Sequence, residues 1–195
     1  MDFSSECKGL IQTMEIDAYT RYLNGDDSAV GELVREYSDG LVLYIFSYVR
    51  DLNTAEELCN EAFIKLVTKK PQFKRKSSFR TFLYSIGRNT ALDYLRKHSR
   101  RCEVPLEDIP DIAGGDNPEL AYIVSEQNET LRRAVLRLKP EYSQVLWLTY
   151  FENLSASAVS EVMRRSVRSV ESLLYRAKPA LRKELEKEGF EYENL

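Results

Sequence analysis

The sequence predicts an all-α protein of two small helical domains joined by an acidic flexible linker. Three observations predict it. Only 8 of 195 residues are Gly and 6 are Pro, and long runs of helix formers lie between them. Apolar residues recur every three or four positions over most of the chain. Charge comes in blocks: net −6 over residues 1–70, +8 over 71–102, −8 over 103–130, +7 over 131–183 and −4 over 184–195, within an overall −3. One nucleic-acid footprint gives one basic block, so two blocks around an acidic one predict two footprints and a spacer.

The spacer is EVPLEDIPDIAGGDNPEL, from Glu103 to Leu120, with three prolines, a Gly-Gly pair and no basic residue. Such a composition disfavours both helix and strand and by itself fits a solvated hinge. It divides the chain into an N-terminal extension (1–16), a first domain (17–102), a linker (103–126), a second domain (127–187) and an acidic tail (188–195). The longest mostly apolar run, near Leu41 to Val49, is too short to span a bilayer. MDFSSECKGLIQTMEIDAY has no cationic start followed by an apolar block, so no signal peptide is predicted and a cytoplasmic location is the expectation. Cys7, Cys59 and Cys102 are scattered and odd in number, which argues against a disulfide framework. With His98 the single histidine, neither a metal cage nor a cofactor is expected.

In the first domain Ala29, Leu33, Val34 and Tyr37 follow one helical face, then Leu41, Ile45, Tyr48 and Val49 another. The next helix begins at NTAEELCNEAFIKLV, where Asn53 or Thr54 can cap it and Ala55, Leu58, Ala62, Leu66 and, in part, Ile64 face inward. Glu57 and Glu61 lie one turn apart, beside Asn60 and followed by Lys65. Paired carboxylates can serve acid–base catalysis, but no histidine or nucleophile lies nearby in sequence. A surface stripe with an i,i+4 Glu61–Lys65 pair is the stronger reading.

KRKSSFRTFLYSIGRN, from Lys74 to Asn89, carries five basic residues, three aromatics and no acid. Ser77 or Ser78 can cap a helix whose inward face is Phe79, Phe82, Leu83 and Ile86. Arg80, Tyr84 and Arg88 form one outer line, with Thr81, Ser85, Asn89 and Asp93 on the line beside it. Cations that follow phosphates and rings that stack on bases are the equipment of single-strand binding. A solvated cationic helix with core aromatics accounts for this stretch equally well.

The second domain reads as four helices. Leu131, Val135 and Leu138 share a face; Pro140 opens the next helix at its first turn; Val145, Leu146, Leu148 and Phe151 follow. Ser155 caps a short helix with Val159, Val162 and Met163 inward, and Ser166 caps a last one with Val167, Val170, Leu174 and Leu181 inward. Pro179 is expected to end or kink it. Short helix, tight turn and longer basic helix make a helix-turn-helix, whose second helix enters the major groove. Its outer residues, Arg165, Arg168, Ser169, Glu171, Ser172, Tyr175 and Arg176, mix phosphate-binding and base-reading types.

AEELCNEAFIKLV followed by SFRTFLYSIGRNTALDYLRK, and then LKPEYSQVLWLTYFENLSASAVSEVMRRSVRSVESLLYRAKPALRK, resemble in order and spacing a bacterial RNA polymerase sigma factor of the sigma-70 family, extracytoplasmic-function group. The resemblance implies sigma regions two and four joined by a linker, with no chemistry of their own. It implies that Glu57, Asn60, Glu61 and Lys65 dock on the clamp helices of the largest subunit of core polymerase. Lys74, Arg75, Lys76, Ser77, Ser78, Phe79, Arg80, Thr81, Tyr84, Arg88 and Asn89 would open and capture the minus-ten element. Arg165, Arg168, Ser169, Glu171, Ser172, Tyr175 and Arg176 would read the minus-thirty-five element. An anti-sigma factor is an implied partner. Linker length fits: eighteen extended residues reach roughly 60 Å, and promoter elements ~17 base pairs apart at ~3.4 Å each are about 60 Å apart.

The sequence departs from the family where Arg164 replaces the usual turn glycine, which leaves the turn open to reshaping. Glu171 stands where a basic residue is common and Leu173 where arginine is. Tryptophans the family has near Val67 and Phe82 are absent. Two other classes compete with this reading. One is a polymerase-independent helix-turn-helix regulator whose first domain mediates dimerisation. The other is a nucleic-acid enzyme, disfavoured because the sequence offers no metal cluster, nucleophile–base pair or phosphate loop.

Overall fold

A computed structural model describes residues 18–71, 77–102 and 129–187. Every regular element among them is helical: α1 (Ser28–Val49), α2 (Leu52–Lys69), α3 (Phe79–Cys102), α4 (Glu129–Arg137), α5 (Pro140–Leu146), α6 (Ala156–Met163) and α7 (Val167–Lys187). A short helical stretch over 18–23 precedes α1. The acidic linker, the N-terminal extension and the acidic tail lie outside the described residues.

The two apolar faces expected between Ala29 and Val49 belong to one 22-residue helix, because its register carries both stripes into the same core. Arg50 ends α1 in the left-handed region, φ 59°, and donates its N–H to the Phe46 carbonyl. The next residue, Asp51, caps α2: its carboxylate accepts from the Thr54 N–H at 2.7 Å. The cap is therefore two or three residues earlier than Asn53 or Thr54. Ala55, Leu58, Cys59, Ala62, Phe63 and Leu66 are the buried stripe of α2, whereas Ile64 is 59% exposed and not inward. Burial pushes the Cys59 thiol up to about 12, with Asp39 and Glu56 adding to it, so it is an inert core group.

Ser78 caps α3 by accepting from the Thr81 N–H at 3.1 Å. Gly87 is where α3 crosses α1: a Cβ there would lie 2.7 Å from Leu41 Cδ1 and would push that side chain aside. Tyr19 and Tyr22 fasten the first turn to the end of α2 by donating to the Pro71 and Val67 carbonyls.

In the C-terminal half Pro140 occupies the first turn of α5, as expected. One π-helical turn, Trp147–Phe151, prolongs α5 and stacks Trp147 on Phe151 with ring centroids 4.5 Å apart. Ser155 caps α6 and the Ser166 hydroxyl accepts from the Ser169 N–H at the start of α7. Val170, Leu173 and Ala177 are buried, Leu174 and Leu181 half-buried, and Val167 is 40% exposed instead of inward because it lies before the first contact turn. Pro179 neither ends nor sharply stops α7, which runs on to Lys187. The far side is held by Arg182–Glu186 and Lys187–Glu184 pairs and by burial of Leu185. The two halves share one contiguous apolar core that includes Tyr44 and Tyr84 on one side and Leu146, Trp147 and Leu154 on the other.

Candidate nucleic-acid and polymerase interfaces

The outer face of α2 carries Glu57, Asn60 and Glu61 exposed and Lys65 half-buried. Lys65 pairs with Glu61 at 2.8 Å and donates to Thr90 Oγ1 at 3.0 Å, which ties this face to α3. A shallow groove runs along the junction, lined by Glu61, Lys65, Thr90, Asp93, Tyr94 and Arg96. Exposed Ile64 lies in the same stripe, seven, four and three residues after Glu57, Asn60 and Glu61. Helical spacing alone could have placed it there. It gives the polar face an apolar centre, the arrangement of an interface hot spot within a polar rim.

The basic helix α3 departs from expectation. Lys74, Arg75 and Lys76 fall outside the described residues. Phe79 is wholly buried between Tyr19 and Tyr37, at ring-centroid distances of 5.2 and 5.6 Å. Thr81 and Tyr84 are also wholly buried. The outer line of Arg80, Tyr84 and Arg88 is therefore not a solvent face. Tyr84 packs on Tyr44, centroids 5.3 Å apart, and its hydroxyl faces the Glu152 carboxylate. Burial, then the negative charge of Glu152, pushes its phenol well above the ordinary value. Tyr84 supports the helix here and offers no ring for stacking. Arg80 is half-buried, with Glu36 and Glu152 carboxylates each 3.7 Å away, a donated bond to the Glu152 carbonyl at 3.2 Å, and the Tyr37 ring 5.3 Å below it. Ser77, Ser78, Arg88 and Asn89 are half-exposed.

The helix-turn-helix keeps a tight turn between α6 and α7. Arg164 holds the turn in the left-handed region, φ 52°, where the family's glycine would stand, and its N–H and that of Arg165 close α6 on the Glu161 and Ser160 carbonyls. The turn is not reshaped; the arginine adopts the glycine conformation at a cost of roughly 1 kcal/mol. Arg168, Glu171, Ser172, Tyr175 and Arg176 lie exposed along α7, with Tyr175 81% exposed. Ser169 is half-buried, and Arg165 is held by Glu141. Leu173 is fully buried, so the position where the family often has arginine is here part of the domain core.

Among the described residues no helix is long and apolar enough to cross a membrane. The sigma-70 region 2 family matches residues 33–101 and the sigma-70 region 4 family residues 128–181. The chain is 31% identical over 186 residues to the RNA polymerase sigma-H factor of Pseudomonas aeruginosa, covering 91% of this chain and 96% of that one. It is 28% identical over 170 residues to the ECF RNA polymerase sigma factor SigW of Bacillus subtilis, covering 83% and 91%. In fold it is similar to CnrH in its complex with the cytosolic domain of CnrY, with a TM-score of 0.61 at 20% identity over 89% of this chain and 97% of that one. Two region matches in the right order, with relatives that are ECF sigma factors along most of their length, place the chain in the sigma-70 family of RNA polymerase sigma factors, in the extracytoplasmic-function group.

Proposed function

We propose that the protein is a transcription initiation factor that binds core RNA polymerase, selects a promoter and promotes strand opening without chemistry of its own. The observation that carries this reading is the exposed row of Arg168, Glu171, Ser172, Tyr175 and Arg176 on a correctly capped helix-turn-helix. In this reading 17–102 is the polymerase- and minus-ten-binding domain and 127–187 the minus-thirty-five-binding domain. Glu57, Asn60, Glu61 and Lys65, with Ile64 at their centre, meet the clamp helices. Ser77, Ser78, Arg80, Arg88 and Asn89, with Lys74, Arg75 and Lys76 before them, take the opened minus-ten strand. Phe79, Thr81 and Tyr84 act by shaping that helix. Arg168 and Arg176 bind phosphate, while Glu171 accepts from a cytosine N4 amine in the major groove. The protein works in the cytoplasm, and an anti-sigma factor, like the NepR bound to the sigma factor RpoE of Bartonella quintana, is its expected regulator.

Run-off transcription with purified core polymerase over a genomic fragment library tests the proposal. Discrete, factor-dependent start sites are the expected result. Absence of both core binding and promoter-specific transcripts, together with tight dimeric binding to a palindrome, would instead establish the polymerase-independent regulator.

A further inference from the structure

The outer face of α7 divides lengthwise into two unlike edges. Val167, Glu171 and Tyr175 follow one another at intervals of four residues, so they share one edge of the helix. Arg168, Ser172 and Arg176, each one residue further on, form the edge beside it. All six are exposed, Val167 by 40% and Tyr175 by 81%. The second edge is equipped for phosphate. It sets two guanidiniums on either side of a hydroxyl, and Arg176 is steadied along the helix by donating Nε to the Ser172 carbonyl at 3.3 Å. The first edge holds two apolar groups and one acid. Lys178, the cation one turn beyond Tyr175, lies over the Tyr150 ring, 5.7 Å from its centroid.

One exposed valine signifies little. A valine in line with an acid and a tyrosine, on the helix that enters the groove, makes a pattern that matches base edges. In the major groove every purine presents its N7 acceptor, which repels a carboxylate. Cytosine presents an N4 amine and no acceptor, and thymine presents a methyl group. Glu171 therefore suits cytosine, while Val167 and the Tyr175 ring suit thymine methyls. Four residues rise ~6 Å along a helix, so the edge is about 12 Å long. That covers roughly three to four base pairs at ~3.4 Å each. All three chemistries agree on one strand, because each side chain is matched by a pyrimidine.

We infer that Val167, Glu171 and Tyr175 form a reading edge for a pyrimidine strand of the upstream promoter element: Val167 takes a thymine methyl, Glu171 a cytosine amine and Tyr175 a second thymine methyl. The inference rests on the reading of α7 as the minus-thirty-five helix and says which bases that helix accepts. It adds Val167 to the base-contacting set, although its spacing predicts an inward side chain. It makes Glu171 a selector by exclusion, since a purine or thymine at its position sets acceptor against acceptor. The neighbouring edge, Arg168 to Arg176, holds the backbone while this one reads.

Selection of duplex DNA by the full chain bound to core polymerase tests it, from a library randomised over the upstream element. The parent should select a run of pyrimidines on one strand with a cytosine between thymines. E171Q should shift that cytosine to adenine, because glutamine donates to N7 and accepts from N6, and should lower the preference for cytosine there by about tenfold. It should also bind unselected DNA more tightly, because a negative charge has left the face. Deoxyuridine in place of each selected thymine removes only a methyl group. At one thymine it should weaken parent binding about fourfold, the worth of one buried methyl, and leave V167A unaffected. At the other it should do the same and leave Y175A unaffected. A selected element that E171Q and V167A leave unchanged would overturn the edge and leave the sigma-factor reading standing. Failure of the core-bound chain to select any upstream element would instead overturn the minus-thirty-five reading of α7, and the edge with it.

Discussion

α3 and α7 are both basic, both follow a serine cap, and both carry a tyrosine among arginines, yet they treat that tyrosine in opposite ways. Tyr84 of α3 is wholly buried, whereas Tyr175 of α7 is 81% exposed. Helical phase contributes: Tyr84 directly follows fully buried Leu83, about 100° round the helix, whereas Tyr175 lies two residues, about 200°, past fully buried Leu173. A second covering surface adds to it. α7 has one partner side, against its own domain, while α3 is sandwiched between α1 and the other domain through Glu152 and Gly40. Periodicity says which residues share a face; it does not say what lies over that face.

The sharpest way to break this contrast is to remove both rings. Tyr84→Ala should cost about 3–5 kcal/mol of stability, as for other buried aromatics cut to alanine, measured by denaturant unfolding. Tyr175→Ala should stay within about 0.5 kcal/mol and weaken promoter binding instead. Similar destabilisation from both would mean that Tyr84 is not covered in solution.

The next test acts on the covering surface itself. Gly40→Ala forces a methyl against Glu152 and the Tyr84 hydroxyl, both 2.6 Å from its Cβ. Overpacking of this kind costs about 1–3 kcal/mol. Because the strain falls on two side chains and not on backbone, it should appear as a lower denaturation midpoint with helix content unchanged. An unchanged denaturation midpoint would remove Gly40 from the contact between the halves.

How much of this was legible before the structure follows the same division. Local chemistry read well. The caps Ser78, Ser155 and Ser166, Pro140 in its first turn, and the inward sets Val159–Val162–Met163 and Ala55–Leu58–Ala62 all stand where spacing put them. Arg168, Glu171, Ser172, Tyr175 and Arg176 also lie exposed where spacing put them, whereas Ser169 is half-buried and Arg165 is held by Glu141. What failed was non-local. Nothing in KRKSSFRTFLYSIGRN announces that Glu152, more than sixty residues on, will cover Arg80 and Tyr84. Ile64 was misjudged for a simpler reason: an isoleucine was read as core although its i−3, i−4 and i−7 neighbours are Glu61, Asn60 and Glu57. Pro179 shows that tertiary and i,i+4 contacts beyond it can outweigh the loss of one N–H.

A weaker lever on the contact between the halves is pH. Burial pushes the Glu152 carboxyl above its ordinary 4.5, against the pull of Tyr84, Arg80, Trp147 and Arg132; Glu36 also faces Arg80. A raised acid means that Glu152 packed between the halves binds a proton which an exposed, hydrated Glu152 has released. Packing is therefore strongest below 4.5, weakens as pH rises from there through the raised value and is constant above it, with a slope below ~1.4 kcal/mol per pH unit for one proton. Solution scattering should show a more compact chain at lower pH, and E152Q should abolish the trend. Compaction that persists in E152Q would assign it to another group.

The smallest expected effect lies in the turn before α7. Arg164 occupies φ 52°, a conformation that costs a side-chain-bearing residue about 1 kcal/mol. Arg164→Gly relieves that cost in the folded state but enlarges the freedom of the unfolded chain, which returns part of it. The net should be a stabilisation of no more than about 1 kcal/mol, read from the denaturation midpoint. Because the turn geometry already matches, the outer row from Arg168 to Arg176 should not move, and promoter selectivity should be unchanged. A change in which promoters are read would show that Arg164 contacts DNA itself, in addition to holding the turn.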